Sequence, residues 1–410
     1  MRLFFSLLLI IPFRIFASSI DFKLDKVIEI YGLQGFNCNI TQPSDPLLSP
    51  LGEALFESKL LSGGQDTSCS TCHLKELNRV DGLPISVGVG GHGEGVNRLK
   101  HGKGILVPRN SFTLAGRGHS NYKTYFWDGK VEVESERIVS IIGDGKGKGF
   151  HSPLALASVL PILARDEFLG LLENTQENEM ISINDSYYED RYFKATSFLR
   201  KQISTSEGDE WDELRKIFIG SKIEPENLKL SDIGNAISAF LIDKENCVEN
   251  KWSQYVRGNK ESLTEQQKQG AFLFYGKGRC VSCHQGDLFS DFNFHSIGTP
   301  QGEFGVSIYG QDLGRSEISL NYEDRFKFKT PSLLNVSKTK PYGHNGAFQT
   351  LDEIVLFHLN PMPFFKNKEW TEKELYSYGR ILSSRSKMLS YIDMFTKEEF
   401  DQLISFLEAI

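Results

Sequence analysis

The sequence predicts a mainly α-helical fold, organised as two domains with long loops between the helices. The chain has 410 residues, and this length corresponds to two or three average domains. The pattern Cys-x-x-Cys-His occurs twice, starting at residues 69 and 280. Segments 49–73 and 263–286 are weakly similar, since each reads as a helix, then a loop, then the motif. With about 210 residues between them, each motif can belong to its own domain.

The composition is that of a folded globular protein. Hydrophobic residues make up 40% of the chain and charged residues 24%, which excludes the disordered class with its low hydrophobicity and high charge. The 46 basic and 53 acidic residues give a net charge of −7. Nucleic-acid and anionic-membrane partners are therefore not expected, because both require a basic surface.

The first 19 residues are typical of an export signal. Arg2 precedes an apolar run over residues 3–13, and the small residues Ala17, Ser18 and Ser19 follow. Such a segment is removed from the mature protein. The apolar run is too short for a stable membrane span, so we expect a periplasmic protein with no membrane span in its mature chain.

Helical spacing of apolar residues accounts for most of the remaining elements. The second lead-in places Thr264 and Gln267 at the spacing of a capping box, and glycines at 276 and 278 end that helix. Further helices are predicted at 187–200, 210–219, 231–243 and 397–410.

Polar and charged residues over 243–260 predict a linker between the domains. The resulting division is a signal peptide at 1–19, an amino-terminal domain at 20–245 and a carboxy-terminal domain at 246–410. Each domain then contains one Cys-x-x-Cys-His motif.

The two motifs carry the chemical prediction. Thiols two residues apart can form thioether bonds to the two vinyl groups of a haem, and the histidine that follows then becomes an axial ligand of the iron. A zinc ribbon would place its two Cys-x-x-Cys pairs about 15–20 residues apart, and a redox dithiol would belong to a thioredoxin-like pattern, which is absent. Two occurrences in an exported chain therefore favour two covalent c-type haems over these alternatives and over chance. The residues concerned are Cys69, Cys72, His73, Cys280, Cys283 and His284.

Further segments surround the motifs in a fixed order. They are Leu-Gly-x-x-Leu-Phe at 51–56, Pro-Arg-Asn-Ser-Phe-Thr-Leu at 108–114, Phe-Trp-Asp-Gly-Lys at 126–130, the stretch 160–168, Thr-Pro-Ser-Leu-Leu-Asn-Val at 330–336 and 339–346. In this order around two haem motifs, the chain resembles the bacterial di-haem cytochrome c peroxidase and MauG family over nearly its whole mature length.

The resemblance implies two cytochrome c-like haem domains and a peroxidase. Hydrogen peroxide would be reduced to water at the haem of His73, and electrons would enter at the haem of His284 from a small periplasmic donor such as cytochrome c or a cupredoxin. Two alternatives remain: a MauG-like oxidase that modifies residues of a partner protein, and a non-enzymatic electron-transfer protein. A homodimer is possible.

The resemblance also assigns roles to single residues. Trp127 is expected between the haems as an electron relay, and a buried core aromatic is the less favoured alternative. Glu167 matches the acidic residue over the peroxidatic iron, where a carboxyl can move the proton that O–O cleavage requires. Asn110, with the backbone of Thr339 and Pro341, matches a calcium site, since calcium binds amide and carbonyl oxygens.

The ligands on the opposite face of each iron are less certain from the sequence. For the second haem, the position that holds Met or Tyr in the family is His358, while Met362 or no ligand are alternatives. For the first haem, His101 in the glycine-rich loop is the candidate, with His92 or an open five-coordinate iron as alternatives.

The other histidines and cysteines have weaker contexts. His344 is expected to form hydrogen bonds near the haem and calcium sites, and His295 to be a surface or core residue. Cys38 and Cys247 could pair in an oxidising compartment, but the sequence does not show whether their Cα atoms are within disulfide distance.

Overall fold

The computed structural model describes residues 19–100, 104–170, 187–301, 311–366 and 369–410. The prediction of a mainly α-helical fold is confirmed. The helices are α1 Ser19–Tyr31, α2 Ser49–Glu57, α3 Cys69–Cys72, α4 Gly95–Lys100, α5 Pro153–Val159, α6 Tyr188–Thr205, α7 Asp209–Gly220, α8 Leu230–Lys244, α9 Lys251–Val256, α10 Glu265–Tyr275, α11 Ser316–Ser319, α12 Leu351–Leu359, α13 Met362–Lys366, α14 Glu372–Ser383 and α15 Lys397–Leu407.

The described strands are short and form two antiparallel sheets. One is a meander in the order β1-β2-β3-β4, and the other pairs β5 with β6. The strands are β1 Thr124–Tyr125, β2 Val131–Glu134, β3 Arg137–Ser140, β4 Gly143–Asp144, β5 Phe294–His295 and β6 Phe328–Lys329. Phe294 pairs with Lys329 in the second sheet, so this sheet joins segments on either side of α11.

Two helix crossings with the same design support the two motifs. Helix α2 packs against α8, which also packs against α5, and α10 packs against α15. A Cβ atom at Gly52 would lie 1.9 Å from the carbonyl oxygen of Ala236, and one at Gly270 would lie 1.9 Å from that of Gln402. Both crossings therefore require glycine, because any side chain would push the paired helices apart.

The amino-terminal helix packs on the carboxy-terminal half of the chain. Helix α1 lies against α10, and the buried Asp21 carboxylate accepts a hydrogen bond from Tyr255 at 2.7 Å and pairs with Lys268 at 2.9 Å. The division at residues 245 and 246 remains a proposal, and this packing places α1 with the second unit.

The segment predicted as a linker is structured, which corrects that expectation. Residues 243–260 contain α9, whose Trp252 is 1% exposed and stacks on Tyr255 and Tyr275. The charged residues of this segment suggested a solvated connection, but its two aromatic side chains are enough to anchor it in the core.

The pairing of Cys38 with Cys247, which the sequence left open, is present as a disulfide with a Cα–Cα distance of 4.6 Å. Cys69, Cys72, Cys280 and Cys283 are free thiols. Among the six cysteines, the four of the motifs therefore remain available for bonds to another group.

Within the described ranges, the helices are too short or too polar to cross a bilayer.

Candidate active site

The first motif forms a short helix that fixes its histidine. In α3, the Thr71 hydroxyl accepts a hydrogen bond from the Ser68 backbone N–H at 3.0 Å, as in a capping box. His73 follows, and its Nδ1 donates to the carbonyl oxygen of Arg79 at 2.8 Å. Because a carbonyl can only accept, the ring proton is on Nδ1 and Nε2 keeps its lone pair. Burial lowers the pKa of His73 to about 4, so the imidazole is neutral, as an iron ligand must be.

A cavity of about 890 Å³ opens beside this motif. Its walls are mostly apolar, with a group of charged side chains on one part of the surface. Cys69, Cys72 and His73 line it together with Trp127 and Glu167. Its volume is within the usual range for cofactor sites.

Glu167 lies on a single π-helical turn, Arg165–Leu169, a local distortion that is frequent at functional sites. Its carboxyl is desolvated in the cavity and repelled by the charge of Asp166, and these effects raise its pKa to about 7. The positive charges of Lys130 and Arg109 oppose the shift. A group with such a pKa can both accept and donate a proton near neutral pH.

The second motif repeats the geometry of the first. A 3₁₀ turn at Cys280–Ser282 precedes His284, whose Nδ1 donates to the carbonyl oxygen of Phe289 at 3.0 Å. Burial again lowers the pKa of this imidazole to about 4. Its Nε2 is therefore also free to bind a metal.

The cavity at the second motif is smaller, about 250 Å³, and a second imidazole lines it. His358 is on α12, where its Nδ1 donates to the carbonyl oxygen of Ile354 at 2.7 Å. Burial lowers the pKa of His358. Met362, the alternative candidate, is 52% exposed and does not line this cavity. Met388, which the sequence reasoning did not consider, does line it.

Three of the four motif thiols have a raised pKa, and this has a chemical consequence. Burial is the main cause that raises the pKa of Cys69 and of Cys280 to about 12, and it also raises that of Cys72. Redox-active cysteines have lowered values instead, because the thiolate is the reactive form. The thiols therefore fit covalent attachment to a haem better than disulfide exchange.

Trp127 contributes to the walls of both cavities. Its indole Nε1 donates to the backbone carbonyl of Asn110 at 3.1 Å. The side chain thus lies between the two motifs, which is the position that the relay hypothesis requires.

The three residues expected at a calcium site line the second cavity together. The Asn110 side-chain NH₂ donates to the carbonyl oxygen of Leu83 at 2.7 Å, which leaves its amide oxygen as a possible ligand. Thr339 and Pro341 follow a 3₁₀ turn at Val336–Lys338. This segment also holds His344, whose backbone carbonyl accepts from the Asn110 N–H at 2.8 Å.

Of the two histidines expected as a sixth ligand at the first iron, only His92 is among the described residues. His92 is exposed and is not among the residues that line the first cavity. His101 falls outside the described residues. Among the described residues that line this cavity, His73 is the only histidine.

Sequence reasoning missed a buried ionic cluster at the first cavity. Arg109 pairs with Asp128 at 2.5 Å, with Asp312 at 2.6 Å and with Glu317 at 3.3 Å. Glu317 also lines the cavity, and burial and the Asp312 charge raise its pKa to about 7. About 200 residues separate Arg109 from Asp312 and Glu317, so no local pattern could have indicated the pairing.

A histidine and a carboxylate form a pair near the second motif. His295 Nε2 lies 2.8 Å from the Asp291 carboxylate, and hydrogen bonds to this carboxylate and to Cys283 raise the pKa of His295 to about 10. It is half-buried and lines the second cavity, a context that the sequence did not indicate.

Comparisons with known proteins agree with this arrangement. A family described as "Di-haem cytochrome c peroxidase" matches residues 48–261, just over half of the chain. The cytochrome-c peroxidase IdrP1 of Pseudomonas sp. is 26% identical over 383 residues, covering 88% of this chain and 79% of that protein. The methylamine utilization protein MauG of Methylophilus methylotrophus is 25% identical over 380 residues, covering 90% and 84%.

Solved structures show the same fold. The structure of a MauG-like protein associated with microbial copper homeostasis matches with a TM-score of 0.58 and 23% identity, covering 90% of each chain. The diheme peroxidase BthA of Burkholderia thailandensis matches with a TM-score of 0.56 and 19% identity, covering 90% of this chain and 86% of that one.

Proposed function

The chain belongs to the family of di-haem cytochrome c peroxidases and is a peroxidase with two haems, and we propose that it reduces hydrogen peroxide to water at the haem of its first motif. Electrons enter at the haem of the second motif from a small donor protein such as cytochrome c. The supporting observation is the contrast between the two cavities: a carboxyl with a pKa of about 7 lines the first, and a second imidazole lines the other.

The residues at both motifs fit a c-type haem. Free thiols and a neutral histidine with an available Nε2 line a largely apolar cavity in each case. Cys69 and Cys72 would hold the first haem with His73 as iron ligand, and Cys280, Cys283 and His284 the second. When bound, the haems supply the iron that carries electrons from the donor to peroxide.

Glu167 acts as the proton carrier. The overall reaction takes hydrogen peroxide, two electrons and two protons to two molecules of water. In its ionised form, Glu167 would accept a proton from peroxide and return it to the departing oxygen as the O–O bond breaks. The charges of Lys130 and Arg109 limit the rise of the Glu167 pKa, so that part of the carboxyl population stays ionised near neutral pH. Lys130 also lies 3.9 Å from the Asp128 carboxylate.

The second site is suited to electron transfer. His358 lines the cavity together with His284, and the two imidazoles would hold the iron of the second haem, which suits electron transfer better than peroxide binding. Two histidines give a lower potential than a histidine with a methionine. Trp127 lies between the cavities and relays electrons from the second haem to the first.

A calcium ion between the two units completes the proposal. Asn110 would contribute its side-chain oxygen, and Thr339 and Pro341 their backbone carbonyls, which suits the preference of calcium for oxygen ligands. Removal of calcium with a chelator is expected to slow electron transfer between the haems, while both haems stay attached. Unchanged transfer in calcium-free protein would remove the ion from the proposal.

We further propose that the protein works in the periplasm after its first 19 residues are removed. The disulfide between Cys38 and Cys247 supports this location, because disulfides persist in oxidising compartments.

The direct test is peroxide-dependent oxidation of a reduced small cytochrome c, measured on protein in which two covalent haems have been counted. Turnover of both substrates is the expected result. Haem spectra that ignore peroxide, together with no turnover for a series of donors, would overturn the proposal and favour an electron carrier. Peroxide reactivity without donor oxidation would favour action on a protein partner.

A further inference from the structure

Arg117 is a buried cation whose hydrogen-bonding capacity is incompletely used. Its side chain lies 3.8 Å from the ring centre of Phe112 and 5.1 Å from that of Tyr122. Nε donates to the carbonyl oxygen of Thr113 at 2.5 Å, but Nη1 is buried and has no partner among the described residues. Arg117 lines both cavities, so a group bound in either one can contact this side chain.

Lys329 is a second buried cation in the same region. Its residue is 3% exposed, and its Nζ donates to the carbonyl oxygen of Thr330 at 3.1 Å. The Nζ lies 5.7 Å from the ring centre of Tyr122, so the same ring lies close to both cations. Burial and the charge of Arg117 lower the pKa of Lys329 far below its usual value. Lys329 lines the second cavity.

Other buried cations of this chain are compensated. Lys268 pairs with Asp21, and Arg109 pairs with three carboxylates. Arg98 has no ion pair, but all three of its nitrogens donate to oxygen acceptors. In the described part of the chain, Arg117 and Lys329 form no ion pair with a carboxylate, and both line haem cavities.

An unpaired buried charge is expensive, since desolvation costs several kcal/mol per ion. Each haem carries two propionate carboxylates, which are anions of suitable chemistry to compensate such cations. We propose that Arg117 and Lys329 bind haem propionates: Arg117 lies between the two haems and can bind a propionate of either or both, and Lys329 binds one of the second haem. This inference rests on the proposed function, because it requires haems at both motifs.

The proposal has an electrostatic consequence that is separate from turnover. A positive charge near a haem stabilises the reduced state, which carries one more electron, and this interaction is strong in a low-dielectric interior. Removal of the Lys329 charge should therefore lower the midpoint potential of the second haem and change the first haem less. Removal of the Arg117 charge should lower both potentials.

The test is a spectroelectrochemical titration of the two-haem protein. Lys329→Met and Arg117→Met are compared with the wild type, with Arg117→Lys, which keeps the charge, and with Lys268→Met. The last variant removes a buried lysine that lines neither cavity, and so it controls for general destabilisation.

We expect Lys329→Met to lower the midpoint potential of the second haem. In Lys268→Met, both potentials should stay near their wild-type values. Arg117→Lys should shift the potentials less than Arg117→Met. If Arg117→Met does not bind both haems, Lys329→Met and Arg117→Lys still decide the question. Unchanged potentials in Lys329→Met would overturn the proposal and point to another anion as the partner. Failure of the wild type to carry two haems would instead overturn the proposed function.

Discussion

The two Cys-x-x-Cys-His sites use the same local structure for two different purposes. In both, the histidine Nδ1 donates to a backbone carbonyl five or six residues later, and burial lowers the imidazole pKa to about 4. They differ in the other side chains that line the cavity. The first cavity, of about 890 Å³, contains Glu167, and the second, of about 250 Å³, contains His358. Under the proposed function, the motif would specify attachment, and residues far along the chain would specify reactivity.

The strongest test of this contrast is removal of the carboxyl at the first site. Glu167→Gln keeps the size of the side chain but cannot carry a proton, and general acid–base catalysis contributes about 10²–10⁴-fold to a rate. Peroxide turnover should fall by a factor in that range, while both haems remain attached and the second haem's spectrum is unchanged.

Glu134→Gln, at an exposed position on β2, is the matched control and should have wild-type turnover. A Glu167→Gln variant as active as this control would remove the carboxyl from the mechanism and reduce the contrast to one of cavity size.

The disulfide offers a second way to separate the sites, because the loop that it closes contains the first motif and excludes the second. The double change Cys38→Ser and Cys247→Ser should lower the free energy of unfolding by about 2–5 kcal/mol, as loss of a native disulfide usually does. Calorimetry of the two-haem protein measures this, and limited proteolysis shows which part opens first. Equal loss of protection in both halves would mean that the two sites share one cooperative unit.

The pH dependence of peroxide turnover should report on the first site alone. Glu167 must be ionised to accept a proton from peroxide, and its pKa is raised to about 7. The value of kcat/KM for peroxide should therefore be constant above pH 7 and fall about tenfold per pH unit below it. Glu167→Gln should lose this acid limb. A limb that persists in the variant belongs to another group, for which Glu317 is the candidate because its pKa is also raised to about 7.

The smallest effect on turnover is expected from a change at the second site. His358→Gly should remove an iron ligand and convert the second haem to high spin, with little change in the absorption of the first. Met362→Leu is the control, because Met362 is half-exposed and does not line the cavity. A low-spin second haem in His358→Gly would indicate a different ligand, for which Met388 is the candidate.

Local patterns in the sequence were enough for the helices, and the prediction of the attachment residues also rests on them. The Thr264–Gln267 capping box is present at the start of α10, and the helices predicted within 187–243 appear as α6, α7 and α8 with shifted ends. In each case the information lies within one or two turns of helix.

Features that depend on distant contacts could not be predicted. The strands β1 and β4 have two residues each, too few for an alternating pattern to be recognised. The position of α1 on α10 depends on the buried Asp21–Lys268 pair, whose members are far apart in the chain. The roles of Glu167 and His358 came from the resemblance, because a single charged residue on a helix has no local signature of catalysis.

The six cysteines raise a question of maturation. Two form a disulfide, while under the proposed function the other four would have to stay reduced until a haem arrives, and each of these four has a partner thiol only three positions away. Thiol exchange proceeds through the thiolate, and once the chain is folded, burial raises the pKa of Cys69 and Cys280 to about 12. Folding therefore protects these thiols from wrong pairing only after it is complete. If the chain is exported and binds haem as proposed, the order in which haem and oxidant reach it would decide whether it matures or becomes trapped with mispaired thiols.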